Sequence, residues 1–310
     1  MTQAILGIDV SKKTLQVALL LAERKVKQKC FNNQADGHQK LIKWLIAQDN
    51  GVVHACLEST STYGEAIAEA LVDAGHVVSI VNPARIKGFA TSELSRTKTD
   101  KVDAALIGRF CKALTPSPWH PASQEVRQLQ AWVRRIEAIQ RMIVQEKNRL
   151  ETAPSQMVTL IKKHLSYLKQ EIQTIKKLIR RHLKKHPTLA HQQKLLMSIP
   201  GIGETTAAII LAEIRDWKRF KSAKQFAAYI GLTPSECSSG SSVRGRPHLS
   251  RIGNSRLRKA FYLPAVVAKN HNPVIIALCE RLLSRCKHTM LVIGAAMRKL
   301  DHLAYGVLKS

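Results

Sequence analysis

The feature that most limits how this chain can fold is a change of hydrophobic period across three closely spaced prolines, Pro116, Pro118 and Pro121. Before them, apolar residues come in short runs of strand length. After them, apolar residues recur at steps of three, four and seven over long stretches. A pattern with strand period does not settle as a long helix, so the two parts must fold differently. Proline removes a backbone donor and pushes its predecessor towards extended geometry, so the three together mark a linker.

In the first part, Ile5-Leu6-Gly7-Ile8-Asp9-Val10 and then residues 14–20 and 25–31 suit three strands joined by tight turns. Residues 41–46 fit an amphipathic helix, and 52–57 a buried strand ending at Glu58. Residues 67–71 belong to a helix, 77–81 form a strand stopping at Asn82-Pro83, and a helix starts near Asp100 and runs to about Leu114. The pattern predicts an α/β domain over 1–115, a mixed sheet with helices on its faces.

Beyond the linker, Val126, Leu129, Val133, Ile136, Ile143 and Leu150 fall on one helical face. After Pro154 the stripe resumes through Met157, Ile161, His164, Leu168, Ile172, Ile175 and Ile179. Two long helices with a turn between them predict a helical, coiled-coil arm over 116–189. The same stripe serves either an intramolecular spacer or a contact between copies. The second helix carries Lys162, Lys163, Lys169, Lys176, Lys177, Arg180, Arg181, Lys184 and Lys185 against Glu171 alone. A solvated face normally mixes signs, so this one points to phosphate backbones. His182 and His186, four apart, lack a third metal ligand at suitable spacing and read as solvated or phosphate-facing. Residues 190–310 form a second, all-α domain around a Gly/Ser-rich loop at 235–245, with helices at 221–230 and 254–269.

Charge narrows the function. The 310 residues carry 49 Lys+Arg against 22 Asp+Glu, a formal net charge of +27, which disfavours a generic metabolic enzyme and calls for a polyanionic partner. Nucleic acid is the first choice and an anionic membrane the second. No apolar run approaches the ~18–20 residues that span a bilayer, and the N-terminus shows no secretory pattern. The six cysteines include no C-x-x-C pair, so neither a disulfide framework nor structural zinc is expected, and a reducing cytoplasm is the default.

Four acids stand out by placement. Asp9 ends the first strand and Glu58 the fourth. Asp100 and Asp103 share a face at the start of a helix. If the first and fourth strands are neighbours, Asp9 and Glu58 lie side by side and the helix brings the other two over the same edge. Crowded carboxylates need cations between them, and hard oxygen ligands suit Mg²⁺ or Mn²⁺. Two such ions ~3.5–4 Å apart serve phosphoryl transfer. Taken singly, each acid has a plainer role. A lone Asp after a strand is a turn residue, while Asp100 and Asp103 suit a helix N-terminus.

The segments Ile8-Asp9-Val10-Ser11-Lys12, Leu57-Glu58-Ser59-Thr60 and Lys98-Thr99-Asp100-Lys101-Val102-Asp103-Ala104 resemble the DEDD motif of a family of bacterial insertion-sequence transposases. That family includes relatives of the Piv site-specific DNA invertase, and its N-terminal domain resembles the RuvC resolvase. The resemblance covers nearly the whole chain. It implies an RNase H-like (RuvC-like) N-terminal domain whose four acids, Asp9, Glu58, Asp100 and Asp103, bind a divalent metal.

In the second half, Ile199-Pro200-Gly201-Ile202-Gly203 followed by Thr205-Thr206-Ala207 resembles a helix-hairpin-helix element. Gly201 and Gly203 would let backbone amides approach a phosphate, and the next helix N-terminus would add partial positive charge. A tight turn in a helical bundle is the plainer account. Gly231-Leu232-Thr233-Pro234, Ser238-Ser239-Gly240-Ser241, Arg244-Gly245-Arg246 and Arg251-Ile252-Gly253-Asn254 with Leu257-Arg258 resemble the C-terminal signature of the same transposases. There the resemblance implies a serine that attacks DNA and forms a covalent phosphoserine link. Ser239 is the best match, with Ser241 and Ser238 as other registers. Metal held by the acids would activate it if the two domains form one composite site. Arg244, Arg246, Arg251 and Arg258 would hold phosphates.

The expectation is therefore a DNA transposase, cytoplasmic and nucleoid-associated. The resemblance further implies a structured guide RNA as partner and assembly as a dimer or tetramer. The main rival is a metal-dependent junction nuclease using water as nucleophile. A nucleotide-binding kinase or ATPase fits poorly, because Val10-Ser11-Lys12-Lys13 lacks the glycine a phosphate loop needs.

Overall fold

The computed structural model describes residues 4–21, 25–49, 51–59, 62–94, 99–214, 216–235, 238–239, 243–244, 248–250 and 252–310, and for residues 62, 238, 239, 243 and 244 it describes the backbone alone. The chain forms two compact units, 1–121 and 122–310.

In the first unit, β1 (Ile5–Val10), β2 (Thr14–Leu20) and β3 (Val26–Asn32) meander antiparallel. The chain then passes through α1 (Ala35–Ile46) and returns as β4 (His54–Glu58), parallel to β1. After α2 (Glu65–Asp73), β5 (Val77–Val81) adds parallel to β4. The sheet order is β3-β2-β1-β4-β5. Two clusters of buried side chains divide its faces. Leu6, Ile8, Ala55 and Leu57 pack with Leu41 and Leu45 of α1 and Ile67 and Leu71 of α2. Ile5, Cys56 and Val81 pack with Ile86, Ile107, Phe110 and Cys111 on the opposite face.

That opposite face is covered by α3 (Pro83–Ser92) and α4 (Asp100–Leu114). The sequence reading placed α4 correctly and passed over α3. Asn82-Pro83 ends the strand, but it also starts a helix. The Asn82 side chain accepts from Ala84 N at 2.8 Å, and proline fits the first helical position, where its missing N–H costs nothing.

The second unit is helical, with α5 (Gln124–Glu151), α6 (Ser155–Lys185), α7 (Pro187–Met197), α8 (Glu204–Glu213), α9 (Ala223–Ile230), α10 (Ser255–His271), α11 (Pro273–Ser284) and α12 (Thr289–Lys309). The expected hairpin of two long helices is present as α5 and α6. Its near half shares one core with the later helices, through Val126, Leu129, Val133, Ile136 and Ile139 of α5 and Leu168, Ile175, Ile179 and Leu183 of α6. Between residues 140 and 164, Glu146 alone is buried. There the stripe has no third helix to pack on, and Met157 and Leu160 stand exposed.

Within and around the segment read as a plain loop, 235–245, the described residues include short two-residue strands. β6 (Pro234–Ser235) pairs antiparallel with β9 (His248–Leu249), and β7 (Ser238–Ser239) with β8 (Val243–Arg244).

Candidate active site

The acid pair follows from register and alternation. β1 and β4 run parallel from Ile5 opposite His54 to Ile8 opposite Leu57, so the next residues along the two strands are Asp9 and Glu58. Side chains alternate across a sheet. Leu6, Ile8 and Leu57 face α1 and α2, so Asp9 and Glu58 both face α4. Both are half-buried, and neither lacks an interaction partner.

Helix α4 runs antiparallel to these strands. Its C-terminal half lies over the strand beginnings, where Cys111 Sγ contacts His54 O at 4.0 Å and Ile107 packs with Ile5. Its middle crosses β1 at Gly7. A Cβ there would run into the Ala104 carbonyl and the Gly108 amide, so only glycine lets helix and strand backbones approach this closely. Gly108 is tight as well, since a Cβ on it would meet Leu20 Cδ1 at 2.5 Å. Asp103 directly precedes Ala104, and Asp100 lies one turn earlier. Beyond the crossing, the N-terminal turn of α4 lies on the β2–β3 side of the sheet, where the Lys101 carbonyl accepts from Gln28 Nε2 of β3 at 3.0 Å. Thr99 is the N-cap, accepting from Val102 N at 3.3 Å, so Asp100 and Asp103 occupy the first turn and favour the helix dipole as well.

Among the described residues, no three His, Cys, Asp or Glu side chains are gathered tightly enough to hold an ion. The donor chemistry nevertheless fits a hard cation. Mg²⁺ commonly takes only one or two protein carboxylates and completes its shell with waters and substrate phosphates. Asp9 and Glu58 would supply that pair; Asp103 is half-buried and Asp100 exposed on α4.

The sequence reading treated the cysteines as scattered. The fold brings Cys56 of β4 and Cys111 of α4 together, fully buried below the acid edge. A hydrogen bond with Cys111 and burial push the Cys56 thiol up. No spacing rule finds this pair, because 55 positions separate its members in the chain.

In the second unit the two glycines of the expected helix-hairpin-helix, Gly201 and Gly203, have different surroundings. Gly201 has φ +107°, and a Cβ there would sit 2.8 Å from Pro264 O and from Ala268 Cβ of α10. Packing and backbone geometry therefore require it. Gly203 has open space around its Cβ position and caps α8 in extended conformation. Of the two, Gly203 is the one a phosphate could approach. Arg180 donates through Nε to Glu204 Oε2 at 2.7 Å, tying α6 to the first turn of α8. A cavity of about 380 Å³ lies beside this pair, lined by Lys176, Arg180, Glu137, Gln140 and Thr206 among others. Lys177 and Arg181 are exposed on α6.

His182 departs from its expected solvated role. It is buried, its Nε2 lies 2.9 Å from Glu125 O, and its ring stands edge-on to Trp132 with centroids 4.9 Å apart. An imidazole with an apolar body and a polar tip fits this interhelical slot, which the surrounding run of lysines concealed.

The serine loop is anchored at its base. Gly231 ends α9 in left-handed conformation, φ +83°, and Gly253 has φ +136°, with a hypothetical Cβ only 2.5 Å from Gly231 N. Asn254 caps α10 by accepting from Arg256 N and Leu257 N, and it donates to buried Glu213 at 3.0 Å. Arg258 donates to Ile230 O at 3.2 Å, closing the end of α9. Much of the motif thus has a structural duty, including the arginine expected on phosphate. Ser239 belongs to β7, paired with Val243 of β8. Arg246, Arg251 and Ser241 lie outside the described residues, as do the side chains of Ser238, Ser239 and Arg244.

Known proteins give a consistent picture. Residues 6–158 match a DEDD transposase model of the IS110 type, and residues 193–280 match the Transposase IS116/IS110/IS902 family. The pilin gene-inverting protein of Moraxella bovis is 31% identical over 312 residues, covering 100% of this chain and 97% of that protein. Its counterpart in Moraxella lacunata is 31% identical over 313 residues with the same coverage. The transposase for insertion sequence element IS1328 of Yersinia enterocolitica is 26% identical over 220 residues, 60% of this chain and 62% of that protein. With a relative at this identity matched along almost its whole length, the chain belongs to the IS116/IS110/IS902 family of transposases, enzymes that recombine DNA.

Proposed function

We propose that this transposase cuts and rejoins DNA using a divalent ion, Mg²⁺ or Mn²⁺, held by Asp9, Glu58, Asp100 and Asp103. The observation that carries the reading is the placement of Asp9 and Glu58 one residue beyond the last paired positions of adjacent parallel strands, both facing α4. The sheet order, antiparallel through β1–β3 and parallel through β1, β4 and β5, supports an RNase H-like (RuvC-like) domain over 1–115. A bound ion would supply charge neutralisation at the phosphate and a more acidic attacking oxygen. The protein's part is to hold the four carboxylates in place, with Gly7 setting the approach of α4.

In the same reading, the hydroxyl of Ser239, or of Ser238 or Ser241, attacks the phosphodiester. A Ser–O–P bond forms as the P–O bond to the leaving strand breaks, and the leaving 3′- or 5′-oxygen takes up a proton. Rejoining reverses these steps, so bond energy is conserved without ATP. Gly203, Lys176, Lys177, Arg180, Arg181, Arg244, Arg246 and Arg251 hold backbones, and Arg258 does so only with what its bond to Ile230 leaves available. Gly201 acts through the hairpin's shape. The Moraxella relatives are named for inverting a pilin gene, so inversion of a DNA segment is one form the reaction could take here.

A structured guide RNA is the further partner in this proposal, and the net charge of +27 is compatible with two nucleic acids at once. The half-covered far end of the α5–α6 arm suits contact between copies in a dimer or tetramer. Among the described residues no helix is long and apolar enough to cross a membrane, in keeping with a cytoplasmic, nucleoid-associated protein.

The test is recombination on a supercoiled plasmid substrate with Mg²⁺, then with chelator, and then with Asp9→Asn and Glu58→Gln. The proposal expects activity in the first case only. Full activity in either variant refutes the acid assignment. A water-using nuclease would keep metal dependence and acids yet give no protein–DNA adduct on denaturation.

A further inference from the structure

The sheet face away from the acids carries a groove of about 530 Å³ between edge strand β3 and helix α1. Its lining follows from alternation. Phe31 belongs to the core under α1, so Lys29 and Lys27 project to that same face. Gln28 points the other way, where its Nε2 donates to Lys101 O of α4 at 3.0 Å. From α1, Lys40, Lys43 and Trp44 complete the groove. The helix closes down on the strand end at Gly37, where a Cβ would run into the Asn32 carbonyl.

The floor is aromatic. Phe31 and Trp44 have ring centroids 5.8 Å apart at 57°, Lys29 Nζ stands 5.4 Å from the Phe31 centroid, and Trp44 is half-buried. The rim is basic, with Lys27, Lys29, Lys40 and Lys43 all exposed. Lys40 pairs with exposed Asp36 at 3.2 Å, and Lys27 donates to neutral Gln48 at 2.6 Å. Lysines on an edge strand also deter pairing with other strands. That duty does not extend to Lys40 and Lys43, which belong to a helix. Ammonium groups around an aromatic floor match what an unpaired nucleic-acid strand needs, cations along the phosphates and π faces for bases.

We propose that the β3–α1 groove binds a single-stranded stretch of the DNA substrate. The site lies on the face opposite Asp9 and Glu58, so the strand it holds is not the phosphodiester under attack but a displaced or flanking segment. The proposal rests on the reading of DNA as substrate, and it does not depend on the acids being catalytic.

The experiment measures binding of a fluorescent oligothymidylate to the full chain across a salt series, for the unmodified protein and for Lys29→Ala/Lys40→Ala/Lys43→Ala. Each phosphate contact contributes ≈0.7 to the log–log salt slope for single strands, so the triple variant should lose about 2 from that slope and bind about tenfold more weakly. Tryptophan emission should be quenched on binding, and Trp44→Phe should remove most of that quench while the fold is kept. This second readout holds even if the triple variant folds poorly. Binding of the oligonucleotide is read without metal and without strand cleavage, which separates failure of the groove from failure of the acid site. An unchanged slope, a quench that survives Trp44→Phe, or a loss confined to an oligouridylate probe overturns the proposal.

Discussion

Asp9 and Glu58 end strands that are hydrogen-bonded on both sides, whereas Ser239 belongs to a two-residue strand paired with one equally short partner. The acids are held by a five-stranded sheet and by a helix packed onto it backbone to backbone at Gly7. At the root of the segment that carries the serine, Gly231 meets Gly253 and Asn254 caps α10. In the proposed mechanism the acids are metal ligands, which must keep their spacing to bind an ion, so a sheet edge suits them. The serine of that proposal attacks one strand and later releases it to another, which suits a segment on a firm base. The contrast is one of scaffold, and each of the following substitutions probes it.

The largest effect belongs to the loop. Ser239→Ala should lower strand exchange on the order of 10⁴-fold or more, as removal of a covalent nucleophile does elsewhere. It should also leave no denaturation-resistant protein–DNA adduct on a gel, where the unmodified protein is expected to give one. Adduct persisting in Ser239→Ala moves the role to Ser238 or Ser241, and persistence in all three variants ends the serine account.

Next comes the scaffold of the acids. Gly7→Ala forces α4 away from β1 and should cost about 1–3 kcal/mol of stability in the first unit, read by thermal or urea melts. Activity should fall further than stability alone explains, because Asp100 and Asp103 move with the helix. A neutral Gly7→Ala would mean that the crossing does not position the acids.

A third effect lies in the helix that braces the loop's root. Gly294 of α12 lies against Leu249 of β9, its Cβ position 3.2 Å from Leu249 Cδ1. Two turns on, Asp301 is fully buried with neither oxygen hydrogen-bonded among the described residues, and burial raises its pKa to about 8, against a smaller opposing pull from Arg298. The folded state therefore holds a proton that the unfolded chain releases above about 4. Stability from this group is fully present below the unfolded value and is lost as pH rises towards about 8. Melts between pH 5 and pH 8 should show a decline on the order of a few kcal/mol. Asp301→Asn should flatten that decline.

The smallest effect separates the two hairpin glycines. Gly203→Ala should leave stability within about 1 kcal/mol and weaken DNA binding. Gly201→Ala should cost about 1–3 kcal/mol through its clash with α10 and its positive φ. The reverse pattern would show that the hairpin's two glycines have exchanged duties.

The sheet was legible because its strands alternate or run apolar and end at polar residues, and so was the neighbouring placement of Asp9 and Glu58 near those ends. Helix α3 was missed because Asn82-Pro83 was read as a stop, although the same pair starts helices. The short pairings of β6–β9 carry no periodic signal, since two residues are too few to show one. His182 was hidden by the charged residues around it, and the fully structural part of the glycine motifs by their resemblance to a phosphate-binding pattern. For His182 and the structural glycines the missing information was a long-range contact, such as Gly201 on Pro264, which local sequence does not encode.

The most direct test of the acid edge is Mn²⁺ binding to the full chain with a DNA oligonucleotide, followed by electron paramagnetic resonance. The unmodified protein and Ser239→Ala should bind alike. Asp9→Asn/Glu58→Gln should bind at least about tenfold more weakly, since even outer-shell partners of metal ligands contribute that much. Equal Mn²⁺ affinity in the double variant, with the fold intact, would contradict the assignment of Asp9 and Glu58 as the centre of this enzyme's chemistry.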